Sequence, residues 1–156
     1  MNVISLLMPK AKVAYLYEDF TVRQGLEKLR AHGYTAIPVL GKDGSYVGTV
    51  SEGDFLWNIL DENDNSLRTR EKLPLRRLIR PGFNPAVRID VTMDELLNRA
   101  MQQSFIPVVD DRGAFVGIVT RQNIMRRLTI PKEESAGHRP EVSWERPAVP
   151  TPAGLS

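Results

Sequence analysis

Two short runs in this sequence have residue types and spacing suited to chemistry. In Gly48-Thr49-Val50-Ser51-Glu52-Gly53-Asp54, a hydroxyl and a carboxylate lie three residues apart where a strand is expected to pass into a helix. Free N–H groups at a helix amino terminus, together with the helix dipole, favour a phosphate there. A carboxylate beside that phosphate can accept hydrogen bonds from paired ribose hydroxyls. The same spacing is that of a capping box, so on these residues alone both self-capping and ligand binding stay open. In Gly117-Ile118-Val119-Thr120-Arg121-Gln122-Asn123 the hydroxyl is kept and Asn123 replaces the carboxylate. Arg121 adds planar donors that suit a phosphate. An arginine in the first turn of a helix opposes the dipole, which favours a functional reason for its presence.

The two runs are copies of one another. Pro38 and Pro107 stand 69 residues apart, and that register holds from Thr35/Ser104 through Gly44/Gly113, Gly48/Gly117 and Val50/Val119 to Leu56/Met125. Upstream the offset becomes 71, Thr21 pairing with Thr92, so the second copy lacks two residues where Gly33 and Tyr34 sit in the first. The gap falls at a helix end, where length changes are tolerated.

Each copy is predicted to run strand, helix, strand, strand, helix. "KVAYLY" is β-branched and aromatic and predicts a strand; Val22, Leu26 and Leu29 then give an amphipathic helix closed by Gly33. "AIPVL" and "YVGTV" flank Gly41-Lys42-Asp43-Gly44 as a hairpin, and Asp110-Asp111-Arg112-Gly113 does the same in copy two. Met93, Leu96, Leu97, Ala100 and Met101 form a complete helical stripe. A short helix is expected from Leu75 to Ile79, matching "ISLLM" ahead of copy one. The repeats are placed at 3–60 and 73–129, joined by a polar linker at 61–72. Residues 130–156 form a Pro-rich tail, expected to be mobile, with Trp144 its one candidate anchor.

Composition narrows the field. With 156 residues the chain can bury a real core, and a net charge of +2 with 26% charged residues demands neither nucleic acid nor an anionic membrane. The absence of cysteine excludes disulfides, thiolate zinc sites and cysteine nucleophiles. "MNVISLLMPK" is too short for a signal peptide's apolar core, so a cytoplasmic location is the expectation.

The element order, the "IPV" of each second strand and the G-h-h-[ST]-x-x-[DN] run (h, hydrophobic) entering each last helix resemble the cystathionine-β-synthase (CBS) domain. Here it would be a tandem pair, a Bateman module, over roughly residues 3–129. The resemblance implies an α/β (α+β) fold of two β-α-β-β-α repeats packed about a pseudo-twofold axis. "KVAY", "GYTAIPV" and "VTRQ" are further similar to small stand-alone CBS proteins that bind cyclic di-AMP.

The resemblance also implies two clefts, each joining the first strands of one copy to the last motif of the other. One would collect Lys12, Ala14, Tyr34, Thr35, Ala36 and Pro38 with Thr120, Arg121 and Asn123. The other, expected to be weaker or empty, would collect Ala86, Arg88, Ser104, Phe105 and Pro107 with Thr49, Ser51 and Asp54. Small Ala14 and Ala36 would leave backbone open to an adenine edge, whereas Phe105 would fill the equivalent space. Each has a plainer reading: Ala14 and Ala36 as core spacers, Tyr34 as the cover of a helix end, Lys12 as a solvated charge. Asn123 in place of a ribose-gripping aspartate favours cyclic di-AMP, whose 3′ oxygens are esterified, over AMP or ATP.

An enzyme is disfavoured. His32 ends a helix and His138 lies in the tail, neither with a catalytic partner in the sequence; Asp110 and Asp111 belong to a turn. No Walker loop, metal-ligand spacing or nucleophile elbow is present, so no cofactor or metal is expected. The expectation is a homodimeric nucleotide receptor read by a separate effector protein. A ligand-free structural dimer module is the third class.

Overall fold

The structure is a computed structural model, described over residues 2–60 and 71–129. Most of the expected linker, and all of the expected tail with Trp144 and His138, lie outside the described residues. The first repeat contains α1 (Val3–Leu6), β1 (Met8–Pro9), a 3-10 turn (Lys10–Lys12), β2 (Leu16–Tyr17), α2 (Val22–His32), β3 (Ala36–Leu40), β4 (Tyr46–Ser51) and α3 (Glu52–Leu60). The second contains a 3-10 turn (Leu75–Leu78), β5 (Val87–Arg88), α4 (Met93–Ala100), β6 (Phe105–Val109), β7 (Phe115–Thr120) and α5 (Arg121–Thr129).

Local chemistry accounts for most of these boundaries. Thr21 and Gln24 close a capping box at the start of α2, with Gln24 N–H donating to Thr21 Oγ1 at 3.1 Å and Thr21 N–H to Gln24 Oε1 at 2.8 Å. Gly33, at φ 70°, ends the helix in the left-handed region. The second copy lacks that residue, and α4 spans 8 residues where α2 spans 11. Both hairpins carry a positive-φ glycine, Gly44 at 89° and Gly113 at 87°. In the second, Asp110 accepts from the N–H groups of Arg112 at 2.8 Å and Ala114 at 2.9 Å. Those bonds hold its carboxyl below the usual carboxylate range and give it a turn role.

The strand predicted across "KVAYLY" is shorter than expected. Lys10–Lys12 form a 3-10 turn and only Leu16 and Tyr17 pair, in parallel, with Val39 and Leu40. The reason is the path of the chain. β1 lies antiparallel on β7 of the other repeat, Met8 opposite Ile118 and Pro9 opposite Gly117, so the following residues must cross between sheets. The result is a four-stranded sheet in the order β1-β7-β6-β5 and a three-stranded sheet in the order β2-β3-β4.

The crossing is reciprocal. Copy two's leading segment runs over β4, and Ile79 packs on Gly48. The repeats meet on a pseudo-twofold axis at the hairpin tips: Tyr46 N–H donates to Gly113 C=O at 3.2 Å and Phe115 N–H to Gly44 C=O at 2.9 Å, with Ser45 bridged to Ala114. These pairs exchange under the 69-residue offset. The cores are cross-built as well. Leu75, Leu78, Phe105, Phe115 and Ile118 of copy two join Leu16, Ile37 and Val50 of copy one in one cluster. Val3 and Leu6 join Leu96, Ile106 and Val119 in the other.

A methyl group on Gly117 would run into the backbone carbonyl of Met8, whereas one on Gly48 would meet the Ile79 side chain at 2.5 Å. A side chain can turn away and a paired strand cannot. Gly117→Ala is therefore expected to cost about 3 kcal/mol and Gly48→Ala about 1 kcal/mol in urea melts. Equal losses would show that the two crossings tolerate bulk alike.

Candidate functional site

In copy one the motif residues cap their own helix. Ser51 N–H and Ser51 Oγ–H donate to Asp54 Oδ2 at 2.8 and 3.0 Å, and Asp54 N–H returns to Ser51 Oγ at 3.3 Å. Asp54 has a second engagement that its spacing did not foretell. Arg80 of the crossing segment donates Nε–H to Oδ1 at 2.6 Å and Nη2–H to Oδ2 at 3.4 Å. The Asp54 side chain is 6% exposed and that of Arg80 52%, so the carboxylate is fixed while the arginine has room to move. The guanidinium lies 3.9 Å above the ring of Phe83, a cation–π seat. Ser51, Asp54, Trp57, Arg77, Leu78 and Arg80 line a cleft of about 440 Å³ here. Arg77, Arg80 and Trp57 were not among the sequence candidates; the basic run "LRRLIR" ahead of copy two was their available signal.

Behind this cleft lies a polar chain that joins the repeats. Tyr46 Oη hydrogen-bonds Thr49 Oγ1 at 2.6 Å and donates to the Asn84 carbonyl at 2.7 Å. Asn84 Nδ2–H donates to Thr49 Oγ1 at 3.1 Å, and Gln103 Nε2–H donates to Asn84 Oδ1 at 3.0 Å. Thr49, Asn84 and Gln103 are all buried, and Asn84 adopts φ 55°. The second copy puts Phe115 and Ile118 where the first has Tyr46 and Thr49. The polar chain of one half thus has apolar side chains at the equivalent positions of the other.

The motif of copy two is differently committed. Thr120 Oγ1 accepts from Asn123 N–H at 3.0 Å, capping α5, while Asn123 Nδ2–H donates to the Leu6 carbonyl at 3.1 Å. Arg121 Nε–H donates to the Ala100 carbonyl at 2.7 Å. That contact answers the dipole argument: Arg121 opposes its own helix but supports the carboxyl end of α4. Only one of its five N–H donors is used in this bond.

The remaining candidates distribute as follows. The β1 ladder and the 3-10 turn that ends at exposed Lys12 lay copy one's leading segment along β7, and because the ladder is antiparallel the chain after Pro9 runs away from the Thr120 end. Ala14 is half-buried against the first core. Ala36 and Pro38 face Ser51 and Thr49 across the β3–β4 ladder, so they are nearest the motif of their own copy. Phe105 and Pro107 likewise face Thr120 and Ile118. The Thr35 and Ser104 carbonyls accept from the N–H groups of Glu52 and Arg121 at 2.9 and 2.8 Å. Tyr34 is buried and stacks on His32, ring centroids 5.0 Å apart, at the end of α2. Ala36 is half-exposed where Phe105 is buried. Ala86 is half-buried, and Arg88 is exposed, 3.9 Å from Asp90. Among the described residues no cluster of acidic or histidine side chains could hold a metal, and no helix is long and apolar enough to cross a membrane.

The CBS-domain family model matches residues 4–61 and again 76–130. The chain belongs to the CBS-domain family. It is a CBS pair. An uncharacterized protein of Methanocaldococcus jannaschii is 26% identical over 145 residues, spanning 75% of this chain and 86% of that one. The crystal structure of CbpB in complex with c-di-AMP matches at TM-score 0.76 and 20% identity, over 82% of this chain and 84% of that one. The structure of CBSX2 in complex with AMP matches at TM-score 0.67 and 26% identity, over 81% of this chain and 95% of that one.

Burial pushes the Tyr46 phenol up to about 12, its bonds to Thr49 and Asn84 acting the other way. The folded CBS pair therefore favours the neutral phenol. Its stabilising effect is complete below about pH 10, the ordinary tyrosine value, and is lost as pH rises towards the folded value. Urea melts above about pH 10 should show stability falling more steeply in the native protein than in Tyr46→Phe. Parallel slopes would mean that Tyr46 ionises as freely folded as unfolded.

Proposed function

We propose that this CBS pair is a non-catalytic adenine-nucleotide receptor, that cyclic di-AMP is its ligand, and that a separate effector protein reads the bound state. The observation that carries the choice of ligand is the state of the two motifs. Copy two has Asn123, an amide, and copy one's Asp54 has both oxygens taken by Ser51 and Arg80. Neither position offers an open carboxylate to a ribose diol. A ligand whose 3′ oxygens are esterified makes no such demand, whereas AMP and ATP do. The proposed site is the Thr120, Arg121 and Asn123 motif with the leading segment through Lys12 and Ala14. Tyr34, Thr35, Ala36 and Pro38 complete the proposed ligand set, although Ala36 and Pro38 lie on the strand opposite Ser51 and Thr49, and the Ala86, Arg88, Phe105, Thr49, Ser51 and Asp54 group is the weaker site.

Support for a homodimer comes from the last helices. Leu56, Trp57 and Leu60 of α3 are 54%, 70% and 59% exposed, and Met125 and Leu128 of α5 are 55% and 59%. Leu56 and Met125 are equivalent under the 69-residue offset, so a second copy can cover both faces symmetrically.

Calorimetric titration should find cyclic di-AMP binding more tightly than AMP or ATP. Arg121→Ala should weaken it by about 1.5–3 kcal/mol, the range for a bond to a charged group, with a melting curve to separate any loss of α4 capping. AMP or ATP binding most tightly, with Asp54 the sensitive residue, would reverse the assignment. Light scattering at micromolar concentration should give a dimer, and Leu56→Glu with Leu128→Glu should give a monomer that still melts cooperatively; a monomeric native protein would count against the assembly.

A further inference from the structure

The two oxygens of Asp54 are committed differently. Oδ2 accepts from Ser51 N–H and Oγ–H, with Arg80 Nη2–H at 3.4 Å, whereas Oδ1 accepts only from Arg80 Nε–H, at 2.6 Å. The two from Ser51 belong to the helix cap and are local. The two from Arg80 come from 26 residues away, on the segment that crosses over from the other repeat. A vicinal ribose diol also brings two O–H donors. Arg80 therefore stands on Oδ1, the oxygen that the helix cap leaves open and that a diol would have to reach.

We infer that Arg80 is a built-in competitor for the diol, a latch that keeps the cleft at Asp54 closed to nucleosides unless the ligand also rewards Arg80 for leaving. Three features make the latch releasable. Arg80 is about half exposed, so it can leave without uncovering a core. Its guanidinium rests on Phe83, which can hold the side chain at the cleft rim after Asp54 is given up. Arg77 lines the same cleft, so a phosphate entering it would meet two guanidinium groups. A ligand with a free diol and a 5′-phosphate satisfies both freed charges at once. A bare nucleoside satisfies only Asp54, and a ligand with esterified 3′ oxygens leaves the latch shut. The second motif has no such device, because Asn123 donates to Leu6 instead of accepting from an arginine. The two clefts then differ in ligand class: diol-demanding at Asp54, diol-indifferent at Asn123.

This reading rests on the chain being an adenine-nucleotide receptor, and adenosine itself separates the two claims because it has the diol and no phosphate. The experiment titrates adenosine, 3′-deoxyadenosine and adenosine 5′-monophosphate into the native protein, Arg80→Met, Arg80→Lys and the double variant Arg80→Met with Asp54→Asn. Arg80→Met keeps an apolar stem over Phe83 and removes both donors. It should bind adenosine about tenfold more tightly than the native protein, since two hydrogen bonds to a charged group no longer compete. The gain should vanish for 3′-deoxyadenosine and in the double variant, and the monophosphate should gain less than adenosine because it loses its guanidinium partner. Arg80→Lys, with one compact donor group, should fall between, and it serves as the reporter if Arg80→Met melts below the assay temperature. Adenosine affinity that is unchanged, weakened or undetectable in both Arg80 variants would overturn the latch. Failure of cyclic di-AMP to bind the native protein would overturn the proposed ligand and leave the adenosine ratio as the measure of the latch.

Discussion

The structure depends on one exchange: each repeat sends its leading segment across to lie on the last strand pair of the other. Met8 and Pro9 pair with Ile118 and Gly117, and Ile79 lies over Gly48. The glycine in each "VG" is what lets a foreign backbone or side chain come so close. Because the segments cross, the cores are shared. Leu75 and Leu78 are buried among the residues of copy one, and Val3 and Leu6 among those of copy two. Copy two's sheet is completed by β1 of copy one, and each core takes residues from the other copy, so neither repeat buries its core alone.

The exchange also builds the candidate sites. A motif at the start of a last helix sits beside whatever the other copy's leading segment carries. In one half that segment carries Arg80, which reaches Asp54, and Asn84, which reaches Thr49 and Tyr46. In the other it carries the Leu6 carbonyl, which receives Asn123. Repetition supplies two equivalent positions, and divergence in the leading segments gives them different electrostatics.

The amino-acid sequence by itself determined the local structure. Offsets of 69 and 71 residues, the glycines of both hairpins, the Thr21 capping box and the helical stripes of α2 and α4 were legible because each depends on neighbours a few residues away. The capping roles of Ser51 and Thr120 were legible for the same reason. Only the tertiary structure decided which distant groups meet. The pairing of Asp54 with Arg80, the hold of Arg121 on the Ala100 carbonyl, and the placing of Ala36 opposite Ser51 follow from the path the chain takes between sheets. The strand read into "KVAYLY" failed on the same ground: β-branched composition favours extended backbone, but ladder pairing requires a neighbouring strand, and along the crossing there is none until Leu16.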